Sequence, residues 1–101
     1  MYIEYINFKK FYRNNINSMG YIFSRCYALK ELNLTNFNTN NVINMEGMFD
    51  GCYELKELNL SNFNTNKVTN MTYMFYGCSV PLRNKIKAKY KNIKEEAFNK
   101  Y

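Results

Sequence analysis

Residues 31–45 read ELNLTNFNTNNVINM and residues 57–71 read ELNLSNFNTNKVTNM, identical at 12 of 15 positions and offset by 26. The differences are Thr35/Ser61, Asn41/Lys67 and Ile43/Thr69. Chance does not produce such a match, and a fixed period of this length marks a chain built from stacked structural repeats. Outward from it, the same frame aligns Cys26, Cys52 and Cys78; Met19, Met45 and Met71; Ile22, Met48 and Met74; and Phe23, Phe49 and Phe75. It also aligns Leu29 with Leu55, Leu32 with Leu58, Leu34 with Leu60, Phe37 with Phe63 and Val42 with Val68. One period upstream, Ile3, Ile6, Phe8, Phe11 and Ile16 keep the apolar character without the identity, so the N-terminus is a degenerate copy. Three periods of 26 fit between Ile3 and Val80, in coils 3–18, 19–44, 45–70 and 71–80. About three coils is the number at which stacked repeats support themselves.

Each repeat has two chemically different halves. In Leu29–Leu34 the end alternates, Leu32 and Leu34 inward and Glu31, Asn33 and Thr35 outward, which predicts a short strand. Val42, Met45, Met48, Phe49 and Cys52 recur at three and four, which predicts one helical face. Asn38-Thr39-Asn40 supplies N-cap side chains ahead of it, and Gly51 and Gly77 stand where a helix ends in a left-handed residue. One strand and one helical turn per coil predict an α/β repeat, a parallel-stranded solenoid. Pro81 ends the repeat region, 1–80. In 81–101, Leu82, Ile86, Tyr90, Ile93, Ala97 and Tyr101 recur at helical spacing, which predicts a basic amphipathic helix capping the last coil.

The pattern LxxLxLxxFxTxxVxxMxxMFxxC of Leu55–Cys78 resembles the 26-residue bacterial surface protein repeat, found in mycoplasmas and other bacteria as a domain of unknown function. It is similar to BspA-type leucine-rich repeats, and it departs from ordinary leucine-rich repeats by placing Phe37 and Phe63 where those carry Asn. The resemblance covers Ile3 to about Val80. It implies a leucine-rich-repeat-like right-handed solenoid and, for secreted members, surface adhesion.

Composition narrows the chemistry. The chain has 101 residues, 47% apolar and 22% charged, so one globular domain is expected. Histidine is absent, which removes Ser/His/Asp, Cys/His and His-ligated zinc chemistry from a single chain. The net charge of +6 is uneven: from Leu82 onward seven basic residues against two acidic ones leave +5, and the preceding 81 residues carry +1. Met1–Asn15 is interrupted by Glu4, Asn7, Lys9, Lys10 and Arg13 and so lacks the apolar core of a signal peptide, and no run approaches a membrane span. By sequence the compartment is cytoplasmic, and by family resemblance it is the cell surface. The three cysteines lack CxxC spacing and stack as one row, a poor tetrahedral ligand set, so reduced buried thiols and no metal or cofactor are expected. Asn33-Leu-Thr35, Asn59-Leu-Ser61 and Asn70-Met-Thr72 match the N-glycosylation pattern, an expected coincidence in an Asn-rich chain.

The outward strand positions are the binding candidates: the rows Tyr5, Glu31 and Glu57; Asn7, Asn33 and Asn59; Lys9, Thr35 and Ser61. Small and amide side chains with few charges suit a protein or glycan ligand held by hydrogen bonds. Stacked Glu31 and Glu57 also have the chemistry of an acid/base or calcium pair, but no concave pocket is expected around them, and an enzyme is the least favoured reading. The expected function is a monomeric, noncatalytic protein-interaction module. The alternative is binding of nucleic acid or an anionic surface through Lys85, Lys87, Lys89, Lys91 and Lys94. A third reading is a fragment of a longer surface protein.

Overall fold

The computed structural model describes residues 5–7, 16–35 and 37–99. Three short strands, β1 (Tyr5–Asn7), β2 (Glu31–Asn33) and β3 (Glu57–Leu58), form a parallel sheet in the order β1-β2-β3. The register repeats the sequence period: Tyr5 pairs Glu31 and Glu31 pairs Glu57, while Ile6 pairs Leu32 and Leu32 pairs Leu58. Leu32 and Leu58 are buried and Glu31, Asn33 and Glu57 exposed, the alternation that a half-buried strand imposes. A second ladder runs through the bridges Ser18–Asn44 and Asn44–Asn70, again 26 residues apart. Successive rungs of the chain therefore lie on one another, residue over equivalent residue.

The helical half expected over Val42–Cys52 does not form. In its place each rung carries a ribbon of consecutive turns. Met48, Asp50 and Cys52 donate their N–H groups to the carbonyls of Met45, Gly47 and Phe49, three residues back. The intervening N–H groups leave the rung: those of Met45, Gly47, Phe49 and Gly51 donate to the carbonyls of Asn70, Thr72, Met74 and Tyr76, at 2.8, 2.9, 2.9 and 2.7 Å. The rung before does the same, Met19, Tyr21, Phe23 and Arg25 donating to Asn44, Glu46, Met48 and Asp50. Such a ribbon needs a positive φ at the third residue of alternate turns, the type II position. Gly47, Gly51 and Gly77 take it at 58, 77 and 81°, and Tyr21, Arg25 and Tyr73 at 57, 62 and 57°. Spacing at three and four served the ribbon as well as it would a helix, because a three-residue turn also returns side chains to one face. Asn38 likewise caps no helix. Its Oδ1 accepts the N–H of Asn40, and buried Thr39 ties rungs together, its hydroxyl accepting from Asn64 N–H at 2.8 Å and donating to Asn64 O.

The core lies between sheet and ribbons and is itself a set of ladders. Phe23, Phe49, Phe75 and Phe98 stack with ring centroids 5.8, 5.4 and 5.4 Å apart and near-parallel planes. Met45, Met48, Met74, Leu29 and Leu55 are fully buried beside them. Identical side chains over one another reproduce one packing solution per rung, which is how a short chain fills its interior without voids.

After Ser79 the period ends. Helix α1 runs from Val80 to Lys89; Ser79 Oγ accepts the N–H of Leu82, and Pro81 sits in the first turn, where its missing N–H breaks no helical bond. The helix expected as far as Tyr101 stops at Lys89, with Tyr90 extended. Tyr90 turns its hydroxyl inward to accept the N–H of Leu60 at 3.0 Å, a bond that an uninterrupted helix would forgo. The chain then forms a 3-10 turn, Glu95–Phe98, laid along the last ribbon: Glu96 and Ala97 carbonyls accept the N–H groups of Tyr73 and Phe75, and Phe98 continues the phenylalanine stack.

Candidate functional site

The sheet positions the candidate residues. Glu31, Asn33, Thr35, Glu57, Asn59 and Ser61 are all exposed, in three rows set by the 26-residue period. Tyr5 and Asn7 belong to the same rows by the pairing of β1 with β2. Their side chains, and Lys9 altogether, lie outside the described residues.

Asn33 Oδ1 accepts from both the N–H and the hydroxyl of Thr35, at 3.0 and 2.8 Å, and Asn59 Oδ1 accepts from the N–H and hydroxyl of Ser61, at 2.9 and 2.5 Å. These side-chain turns end the strands, because each offers the backbone N–H a closer partner than the next rung. The Asn-Leu-Thr/Ser triplets that match a glycosylation pattern are this device. It leaves the amide Nδ2 groups of Asn33 and Asn59 as the outward donors, beside the carboxylates of Glu31 and Glu57.

The face is not flat. Glu31, Leu32, Asn33, Thr35, Glu57, Leu58 and Asn59 form one side of a depression of about 400 Å³, and Lys89 of α1 forms the other. This corrects the expectation that no concavity surrounds the stacked glutamates: α1 docks by Leu82 and Ile86 and so stands beside the sheet as a wall. Lys85 Nζ lies 3.4 Å from Glu57 Oε1, with both side chains well exposed, so the pair organises the rim and contributes little stability. Glu31 makes no ion pair among the described residues. The groove thus offers one carboxylate engaged by lysine and one open, two amide donors, and a floor containing Leu32 and Leu58.

Several of the lysines have acidic or aromatic neighbours. Lys85 pairs with Glu57; Lys87 lies 3.6 Å from Glu95 and its Nζ stands 4.8 Å over the Phe98 ring; Lys89 Nζ is 5.4 Å over Tyr90. Lys91 Nζ donates to the carbonyl of Lys87, and the backbone N–H of Lys94 points at Met71 Sδ. Lys89 belongs by sequence to the basic stretch Lys85–Lys94, and the docking of α1 brings it to the strand face. No sequence signal carried that, since it depends on where Leu82 and Ile86 seat.

Cys26, Cys52 and Cys78 are buried free thiols. Cys52 donates to Phe23 O at 3.2 Å and Cys78 to Phe49 O at 3.3 Å. Burial pushes the Cys78 thiol up to about 12, opposed by the nearby Arg83 charge, and pushes Cys52 up further, with the neighbouring thiols adding to it. Such thiols are neither nucleophiles nor ligands at neutral pH. Among the described residues no group of three or more His, Cys, Asp or Glu converges as a metal site, and no helix is long and apolar enough to cross a membrane.

Strands and turns in register at 26 residues define a tandem-repeat protein. The chain belongs to the family described as Mycoplasma protein of unknown function, DUF285, whose model matches residues 2–99. No curated protein and no solved structure matches it.

Proposed function

We propose that this protein is a noncatalytic interaction module, a short right-handed solenoid of leucine-rich-repeat and BspA-like character that holds a protein ligand in the groove between its strand face and α1. The observation that carries the reading is the convergence of Glu31, Asn33, Thr35, Glu57 and Asn59 with Lys89 around one depression of about 400 Å³. Its polar groups are donors and acceptors set at fixed intervals over a small apolar floor, the composition by which an extended polypeptide is recognised. A cell-surface adhesive role is the corresponding biological setting. Nucleic-acid binding is the second reading: Glu57 and Glu95 stand beside Lys85 and Lys87 and place negative charge next to the basic groups that would meet phosphates.

The test is capture from native lysate by the full chain and by a Glu31→Lys/Glu57→Lys variant, each with and without nuclease. A nuclease-resistant protein retained by the wild-type chain and lost by the folded variant is the expected result. Retention unchanged by the variant overturns the groove, and retention that disappears with nuclease and falls steeply with salt transfers the function to the lysines.

A further inference from the structure

The turn ribbons have a direction: their outward N–H groups all face the following rung and their carbonyls the preceding one. In the last ribbon the equivalent donors are Met71, Tyr73, Phe75 and Gly77. The 3-10 turn covers Tyr73 and Phe75, through Glu96 O at 3.2 Å and Ala97 O at 2.8 Å, and reaches no further. Gly51 and Arg25, one and two rungs earlier, each donate to the next rung at 2.7 Å, whereas the N–H of Gly77, like that of Met71 at the other end of the ribbon, meets no acceptor among the described residues.

Gly77 forms part of the wall of a depression of about 280 Å³ with Tyr53, Tyr76, Cys78 and Arg83. Arg83 comes from the first turn of α1, and its Nε is buried without a hydrogen-bond partner among the described residues. Its guanidinium makes no ion pair among the described residues. A buried donor without a partner is costly, the more so when charged, and calls for a water, an ion or a ligand to meet it. The lining residues, Tyr53, Tyr76, Gly77, Cys78 and Arg83, include one cation and no acid, and the carboxylate of Asp50 is felt at Cys78. The row of aligned peptide N–H groups ending at Gly77 adds a positive partial charge on the same side.

Surroundings that offer donors and positive charge select a ligand made of acceptors. We propose that Arg83 and the Gly77 N–H bind a phosphate-type oxyanion in the depression beside Tyr53 and Tyr76. The two donors come from different elements, the helix and the last ribbon. A carboxylate spends both oxygens on a guanidinium fork, whereas a tetrahedral phosphate keeps further oxygens for the peptide N–H. The site shares no residue with the strand-face groove, so it stands whether or not that reading does.

Inorganic phosphate titrated into the full chain at constant ionic strength tests it, with the Gly77 amide and Arg83 Nε–H resonances followed by ¹⁵N NMR and sodium acetate run in parallel. The expected result is a saturable shift of both resonances with phosphate, about tenfold weaker affinity for acetate, and a loss of affinity of at least about tenfold in Arg83→Gln, read at the Gly77 amide. A linear drift, or shifts spread over Lys85, Lys87 and Lys91 with Gly77 unmoved, overturns the site. Acetate saturating as tightly as phosphate overturns the phosphate assignment. If Arg83→Gln does not fold, the comparison of phosphate with acetate on the wild-type chain decides.

Discussion

At Tyr21, Arg25 and Tyr73 the backbone holds φ of 57, 62 and 57° with a side chain in place, where the other rungs use Gly47, Gly51 and Gly77. A residue with a Cβ pays about 1–2 kcal/mol for that conformation. Arg25 is exposed, so Arg25→Gly is expected to stabilise the chain by about 0.5–1 kcal/mol in urea unfolding, after the larger unfolded-state entropy of glycine is deducted. Gly47→Ala goes the other way and further: its Cβ would stand 2.2 Å from the Tyr21 ring, and a loss of about 2–3 kcal/mol is expected. The thiols make a second test at this scale. An unfolded thiol ionises near 9.0, while the folded Cys78 keeps its proton to about 12, so the folded state binds protons more tightly. The contribution to stability is complete below pH 9 and declines as pH rises towards the folded value, by about 1.4 kcal/mol per pH unit for each such thiol. Denaturant unfolding from pH 8 to 10.5 should therefore show a shallower decline in Cys78→Ala than in the wild-type chain. Equal slopes would place the thiol in contact with water.

The strands and the ribbons are held by different means, and the sequence disclosed them unequally. Leu32 and Leu58 between exposed neighbours announce β2 and β3, and the identity of residues 31–45 with 57–71 announces their register, because a parallel ladder puts like over like. The ribbons were hidden, since Val42, Met45, Met48, Phe49 and Cys52 bear a spacing that two structures share. Gly47 and Gly51, four apart, are the residues that distinguish them, but Tyr21, Arg25 and Tyr73 blur that signal in the neighbouring rungs. The stop of α1 at Lys89 was hidden as well, because it answers to a distant group, the buried N–H of Leu60. Tyr90→Phe leaves that N–H without an acceptor, and a cost of about 1–3 kcal/mol is expected in urea unfolding. A change under about 0.5 kcal/mol would mean that Tyr90 serves by packing alone.

Over the whole molecule the rungs present three surfaces. The strand face was legible as rows of Glu, Asn and Thr/Ser. Its concavity was not, because the second wall comes from Lys89, some thirty residues from β3 and placed there only by the seating of Leu82 and Ile86 in the core. The donor end of the ribbons is covered by Glu95–Phe98 at Tyr73 and Phe75 and leaves the N–H groups of Met71 and Gly77, and the Arg83 Nε, without an acceptor among the described residues. The acceptor end, at the first described ribbon, exposes Ile22, whose equivalents Met48 and Met74 are fully buried beneath a preceding rung. The groove carries the functional claim, and a photo-crosslinking residue placed at Asn33, within it, or at Asn66, exposed outside it, interrogates it most directly. Irradiation in nuclease-treated lysate, followed by mass spectrometry of the adducts, is predicted to give a discrete protein partner from Asn33 and none from Asn66. Equal labelling from the two positions, or none from Asn33, would contradict recognition through the strand-face groove.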